Sequence, residues 1–224
     1  MKGKELKHSM IFEQFSRIGI IPVVVLDDPK DAAPLAEVLS KNGLPCAEIA
    51  FRTPAAEEAI RIMSREFPDM LIGAGTILTT EQADRAINAG AKFIASPGLN
   101  PKIVQYSIDN SIPVTPGTQT PSEMEQALEL GLKVVKFFPA EQAGGLKMIK
   151  AVAKTFIDLE FMPTGGINAS NVKDYLMYNR IIACCGSWLI KRSLVAAGEW
   201  AKINALVKDA AAIVKTVRGT GVKR

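Results

Sequence analysis

The sequence predicts a (β/α)8 barrel, an α/β fold of one domain spanning residues 1–224, with an N-terminal helix ahead of the first strand. Three observations point to it: eight short β-rich apolar runs, helical spacing in the stretches between them, and no glycine-rich turn after the first run. The runs are residues 20–26, 46–51, 70–76, 92–96, 112–115, 133–138, 160–164 and 181–185. Between them lie 31–42, 55–67, 81–89, 101–109, 122–130, 146–155 and 169–178, each with apolar residues at helical intervals. Several open on a proline or a capping residue, as with Thr79 and Thr80 before Glu81, or Pro121 and Ser122 before Glu123. Gly43, Gly90 and Gly131 each follow a helix, where a left-handed cap favours glycine. Strands alternating with helices imply a parallel sheet. Eight such units imply that the sheet closes, at the compact end of the range for that fold. An open doubly wound sheet would carry a glycine fingerprint after its first strand; here Asp27, Asp28, Pro29 and Lys30 follow instead.

Composition narrows the chemistry. Of 224 residues, 48% are hydrophobic and 22% charged, as in an ordinary soluble globular protein. The net charge of +4 is scattered, so no nucleic-acid partner is expected; the small cluster Arg218, Lys223 and Arg224 reads as a solvated terminus. No apolar run approaches the roughly 20 residues of a membrane helix, so no membrane partner is expected. The start lacks the apolar core of a signal peptide. Three cysteines, Cys46, Cys184 and Cys185, form an odd set that suits reduced thiols in the cytoplasm. Cys184 and Cys185 are adjacent on a strand, point to opposite faces, and make a poor zinc site. The single histidine, His8, stands in the N-terminal segment, whereas zinc sites and histidine relays need well-placed imidazoles. The expected chemistry is metal-free and runs on Lys, Glu, Arg, Thr and backbone groups.

Strands of a parallel barrel are buried on both faces, so charges within them are informative. The period of two puts Glu48, Ala50 and Arg52 on one face, with Ile49 and Phe51 on the other. Val134, Lys136 and Phe138 likewise share a face, which leaves a lysine inside an apolar strand. Thr76 falls with Ile72 and Ala74 at the end of the third strand. Glu48, Arg52, Thr76 and Lys136 all lie toward the C-terminal ends of their strands, where barrel chemistry resides. A buried Glu48–Lys136 ion pair without a catalytic role is the plain alternative, though such pairs are weak stabilisers. Two glycine-containing stretches follow strands seven and eight: Thr164, Gly165 and Gly166, then Gly186 and Ser187. Barrels commonly bind phosphate there through backbone N–H groups and a short helix N-terminus. Tight turns without a ligand are the alternative.

These motifs together resemble the 2-keto-3-deoxy-6-phosphogluconate (KDPG) aldolases, a family that overlaps with the 4-hydroxy-2-oxoglutarate (KHG) aldolases. They are E-x-x-x-R-T (Glu48, Arg52, Thr53), G-A-G-T (73–76), S-P-G (96–98), V-K-F-F-P-A-E (135–141), P-T-G-G-I (163–167) and G-S-W-L (186–189). Each is weak alone; their order and spacing are specific, and the resemblance runs from about Ile20 to Leu206. It implies that Lys136 attacks the 2-oxo carbon and that Glu48 shuttles protons. It implies that Arg52 and Thr76 hold the pyruvate carboxylate and that Pro97 and Phe138 line the pocket. Gly165, Gly166 and Ser187 would bind the phosphate, with Thr164 beside the reacting carbonyls. It further implies a homotrimer acting on a small 2-oxo acid or sugar-acid phosphate without a metal. Ala50 departs from the threonine that many members carry there.

Cleaving the C3–C4 bond of a 2-oxo acid leaves electrons at C3, which a protonated imine at C2 accepts as an enamine. The amine must be unprotonated to attack, while free lysine titrates near 10.4. Val134, Phe138 and the cation of Arg52 are expected to depress Lys136. Glu48 is the one inward strand carboxylate near Lys136 and the candidate proton carrier. The expected reaction is reversible cleavage of KDPG to pyruvate and glyceraldehyde 3-phosphate. Alternative substrates are 4-hydroxy-2-oxoglutarate and the galactonate epimer of KDPG. Two further readings are a sugar-phosphate isomerase or epimerase, and a non-catalytic sugar-phosphate-binding barrel.

Overall fold

The computed structural model describes residues 2–219, with side chains from Met10 onward. The side chain of His8, and all of Lys223 and Arg224, lie outside the described residues. The chain begins with helix α1 (Lys2–Ile18), followed by β1 (Ile20–Val24) and a single 3-10 turn (Pro29–Asp31). Strands and helices then alternate: α2 (Ala32–Lys41), β2 (Cys46–Ala50), α3 (Ala56–Glu66), β3 (Leu71–Gly75) and α4 (Thr80–Asn88). They continue as β4 (Ile94–Ser96), α5 (Pro101–Asp109), β5 (Val114–Thr118), α6 (Pro121–Glu129) and β6 (Val134–Phe137). The last are α7 (Gly145–Val152), β7 (Glu160–Pro163), α8 (Val172–Leu176), β8 (Cys184–Gly186), α9 (Arg192–Ala196) and α10 (Trp200–Gly219). No helix among the described residues is long and apolar enough to cross a membrane.

All eight predicted strands form, each parallel to its neighbours, in the order β7-β6-β5-β4-β3-β2-β1-β8. Parallel bridges Phe161↔Ile181 and Thr164↔Cys185 join the two ends of that order and close the ring. The predicted left-handed caps are present: Gly43, Gly90 and Gly131 take φ of +80°, +103° and +78°. Thr79 caps α4, its side chain accepting from Gln82 N–H. The cap of α6 sits one turn position earlier than expected. Thr120 and Glu123 exchange hydrogen bonds as a capping box, with Pro121 as first helical residue, so Ser122 lies inside the helix.

Two further boundaries differ from expectation. β5 runs past the expected end at Thr115 through Pro116 and Gly117, which pair with Ser96 and Lys136. α8 starts late because two asparagines claim the turn before it. Asn168 Oδ1 accepts from Ser170 N–H at 2.9 Å, and Asn171 Oδ1 from Asn168 N–H at 2.9 Å. Such side chains compete with helical backbone bonds.

The alternation of the strands sorts the core into two parts. Ile49, Ile72, Ala74, Ile94, Val114, Val135, Phe137 and Phe161 face outward and pack under Leu35, Leu39, Ile60 and Met63 of the helices. Ile21, Cys46, Leu71, Val134, Met162 and Cys185, with Phe93 just before β4, face inward. Cys184 and Cys185 thus fall on opposite sides of the sheet. α1 completes the inner part: Ile11 and Phe15 join it, and the Phe15 ring stands edge-on to Phe93 with centroids 4.9 Å apart. Burying one such ring stabilises by about 1.5–3 kcal/mol. The N-terminal helix is therefore a floor across the bottom of the barrel.

Arg218 corrects the reading of the C-terminal cluster as solvated. Its guanidinium folds back to donate to Ile182 O at 3.1 Å, and Arg218 is part-buried at the end of α10.

Candidate active site

Above the apolar floor, alternation brings two charges together. Glu48 of β2 and Lys136 of β6 point inward from opposite sides of the ring. Lys136 Nζ donates to both carboxylate oxygens of Glu48 at 2.7 Å. The residues are 3% and 4% exposed, so this is a buried ion pair. Thr118 Oγ1 donates to the Lys136 carbonyl at 3.0 Å and anchors the lysine backbone.

The protonation of Lys136 reverses the expectation from sequence. Burial pushes the lysine down, but the charge and hydrogen bonds of Glu48 outweigh it, and the net direction is above the ordinary lysine value. Arg52 is not among the charges acting on it. In the resting site Lys136 is an ammonium. Its deprotonation needs a nearby acceptor, and Glu48 is in contact. Cys185 lies close enough to feel both charges; burial pushes its thiol up to about 11, against the pull of the Lys136 ammonium.

Space for the pair comes from glycines that the strand register turns inward. In register, Glu48 lies beside Gly73 and Ala50 beside Gly75, so the glycines of G-A-G-T face inward. A Cβ on Gly75 would stand 2.1 Å from Glu48 Oε1. A Cβ on Gly73 would stand 2.4 Å from the Phe93 ring. Gly117 of β5 pairs with Lys136, and a Cβ there would meet the Pro97 carbonyl at 2.0 Å. Three bare positions thus let the Glu48 carboxylate, the Phe93 ring and the Pro97 carbonyl into the interior.

Thr76 corrects a simple extrapolation. Ile72 and Ala74, with which it was expected to share an inward face, pack outward against the helices. Thr76 leaves that alternation because it adopts φ +58°, a left-handed conformation that few non-glycine residues take. It is half-buried just past the end of β3. Arg52 differs too. β2 ends at Ala50, Arg52 N–H turns back to Ala50 O at 2.8 Å, and the residue is exposed past the strand end. Pro97 is exposed, and Phe138 is 36% exposed, both past the ends of their strands. Thr164 is half-buried beside the Thr164↔Cys185 bridge, its hydroxyl donating to Met162 O at 3.2 Å.

Beyond β7 and β8, Gly165 and Gly166 take φ of +97° and +79°. Gly166 and Ser187 are exposed, and their amide N–H groups donate to no acceptor among the described residues. The helix N-terminus expected beside them is not adjacent: residues 187–190 are a bend, and α9 begins at Arg192. Arg192 grips Asp27 with two bonds of 2.6 and 2.5 Å, tying the segment after Ser187 to the loop that follows β1.

Known proteins are similar along nearly the whole chain. The family model described as KDPG and KHG aldolase matches residues 11–206. A 2-dehydro-3-deoxy-phosphogluconate aldolase of Haemophilus influenzae is 48% identical over 205 residues, covering 92% of this chain and 97% of the relative. Among solved structures, the KDPG aldolase of Legionella pneumophila, with pyruvate captured at low pH as a covalent carbinolamine intermediate, superposes with a TM-score of 0.84. It is 38% identical, with 87% of this chain and 94% of that one covered. The Zymomonas mobilis aldolase with 3-phosphoglycerate gives a TM-score of 0.83 at 38% identity, over 90% and 95% of the two chains. A barrel with a buried inward lysine and carboxylate, matched along nearly its whole length by such relatives, has one placement: the chain belongs to the KDPG and KHG aldolase family.

Proposed function

We propose that this enzyme is a class I aldolase that reversibly cleaves KDPG to pyruvate and glyceraldehyde 3-phosphate through an imine on Lys136. The observation that carries the reading is the buried contact of Lys136 Nζ with both Glu48 oxygens at 2.7 Å. Transfer of one proton from the ammonium to Glu48 neutralises both partners and releases the amine as a nucleophile. The amine attacks C2, and protonated Glu48 gives its proton to the departing hydroxyl, so that water leaves and a cationic imine remains. Glu48, again a carboxylate, takes the proton of the C4 hydroxyl as the C3–C4 bond breaks. The bonding pair moves into the imine as an enamine and the aldehyde departs. Return of that proton to C3 and addition of water to the imine release pyruvate and restore the pair.

The other roles rest on position at the mouth and on family resemblance. Arg52 and Thr76 receive the carboxylate of the substrate, and Thr164 lies beside the reacting carbonyls. Pro97 and Phe138 shape the space around the aldehyde. Gly165, Gly166 and Ser187 hold the phosphate; two positive-φ glycines, and N–H groups of Gly166 and Ser187 with no acceptor among the described residues, support that assignment. On the same reading the enzyme is a cytoplasmic homotrimer, which free Cys46, Cys184 and Cys185 suit as regards compartment. Light scattering tests the assembly, three chains supporting it and one overturning it.

Pyruvate with borohydride tests the chemistry. A reduced pyruvyl adduct on the peptide containing Lys136 is expected, and active protein with that peptide unmodified would sink the proposal. Cleavage rates on KDPG, its galactonate epimer and 4-hydroxy-2-oxoglutarate rank the substrates; a strong preference for the last would overturn the phosphate assignment.

A further inference from the structure

Glu141 ends the V-K-F-F-P-A-E motif, yet the imine cycle makes no use of it. Its surroundings are nonetheless closely built. Past the ends of β6 and β7, Ala140 N–H donates to Thr164 O at 2.8 Å and Glu141 N–H to Gly165 O at 3.1 Å. The stem of Glu141 lies across Gly166, where a Cβ would meet Glu141 Cγ at 2.5 Å. Its carboxylate oxygen Oε1 accepts from the hydroxyl of Tyr175, whose ring is 2% exposed. That oxygen and the Tyr175 hydroxyl both press on Gly145, each 3.0 Å from where a Cβ would be. From the other side, Asn168 Nδ2 and Asn171 Nδ2 each donate to Gly166 O at 3.1 Å.

These contacts fix two successive peptide planes. Glu141 N–H holds the Gly165 carbonyl, and the trans peptide directs the Gly166 N–H the opposite way, away from the Glu141 loop. The two asparagine amides hold the Gly166 carbonyl and in the same manner set the N–H of Ile167. We propose that Glu141 and Tyr175 are positioning residues for the substrate phosphate: clamped to each other, they hold the Gly165–Gly166 turn with its N–H groups aimed at the anion. The inference deepens the phosphate assignment above and rests on it. Neither residue touches the reacting carbons, so formation of the pyruvate imine does not depend on them. A carboxylate near a phosphate site carries an electrostatic cost, so the shape and acceptor capacity of Glu141 matter here and its charge does not. Glu141→Gln keeps both, whereas Glu141→Ala removes them.

The test compares kcat/KM for KDPG with that for unphosphorylated 2-keto-3-deoxygluconate, alongside borohydride trapping of pyruvate. Wild type is expected to favour the phosphorylated substrate. Glu141→Ala is expected to shrink that preference about tenfold, through the KM for KDPG, with pyruvate trapping unchanged. Tyr175→Phe, which keeps the buried ring, shrinks it about threefold. Glu141→Gln restores it to within about twofold of wild type, because the amide oxygen still accepts from Tyr175. Wild-type preference in both Glu141→Ala and Tyr175→Phe overturns the inference and leaves the phosphate assignment standing. So does a loss of trapping in proportion to the loss on KDPG, which marks a merely structural role. A wild-type enzyme indifferent to the phosphate overturns the assignment itself. Should Glu141→Ala fail to fold, Tyr175→Phe and Glu141→Gln decide alone.

Discussion

The two ends of this barrel are made from the same strands, yet they are built by opposite rules. At the floor, Phe15, Phe93, Val134 and Met162 fill the interior with apolar rings and branches, and a helix lies across them. One layer higher, Glu48 and Lys136 carry two charges into the same interior. Only one residue separates Val134 from Lys136 on β6, and one separates Cys46 from Glu48 on β2. The first residue of each pair contributes burial. On the proposed mechanism the second gives up apolar packing for chemistry, since a desolvated ion pair adds little stability. Stability and activity are thus divided along the axis of the barrel, and each can be changed without the other.

The largest effect expected is at the mouth. Lys136→Met should lower kcat roughly 10,000-fold or more, since no other lysine among the described residues is buried in the barrel. The double variant Glu48→Leu/Lys136→Met should lose activity as completely while its Tm stays level or rises, because apolar replacements of buried pairs are neutral or stabilising by about 1–4 kcal/mol. A large fall in Tm for that double variant would break the division. Two glycines on one strand sharpen it further. Gly75→Ala pushes against Glu48 Oε1 and should cost about 100-fold in kcat, the lower range for a displaced proton carrier. Gly73→Ala pushes against the Phe93 ring instead and should cost about 1–3 kcal/mol of stability with turnover retained. Equal losses of activity in the two would contradict the division.

At the floor, Phe15→Ala should destabilise by about 3–5 kcal/mol, or roughly 10 °C in Tm, seen by thermal unfolding. Its kcat at 20 °C should stay within about twofold of wild type. The smallest effect concerns pH. Glu48 raises Lys136 while burial, the largest single influence, lowers it, so Glu48→Gln removes the main opposition to that lowering. The midpoint for pyruvate trapping should move acid, read from a borohydride pH series. An alkaline shift would show that Glu48 does not control the lysine.

Much of this division is legible in the sequence, because it follows from a period of two. Alternation places Glu48 and Lys136 inward without any knowledge of neighbouring strands, and the structure places them there. It fails where the backbone leaves the extended region. Thr76 at φ +58° no longer obeys the parity of β3, and Arg52 lies past the strand end. The glycines were harder to interpret. Whether Gly73 and Gly75 face in depends on register with Glu48, which only pairing supplies. The Lys136 direction was misread for a related reason: Glu48 was known to be inward, but not that it touches the amine with both oxygens. The floor shows a further limit, since an amphipathic N-terminal segment is recognisable as a helix while the surface it covers is not.

The floor also decides traffic. With α1 across the bottom, Ile11 and Phe15 close the base of the interior, and Lys136 stands a layer above the apolar floor. On the proposed mechanism the three carbons that become pyruvate are tethered there, and the phosphorylated half extends toward the C-terminal ends of the strands. The aldehyde must therefore leave first and pyruvate last, and in the condensing direction pyruvate must load before its partner. The tether imposes the kinetic order, and a helix with no part in the chemistry keeps the base of the barrel shut: pyruvate competes with substrate for the empty site, and the aldehyde does not.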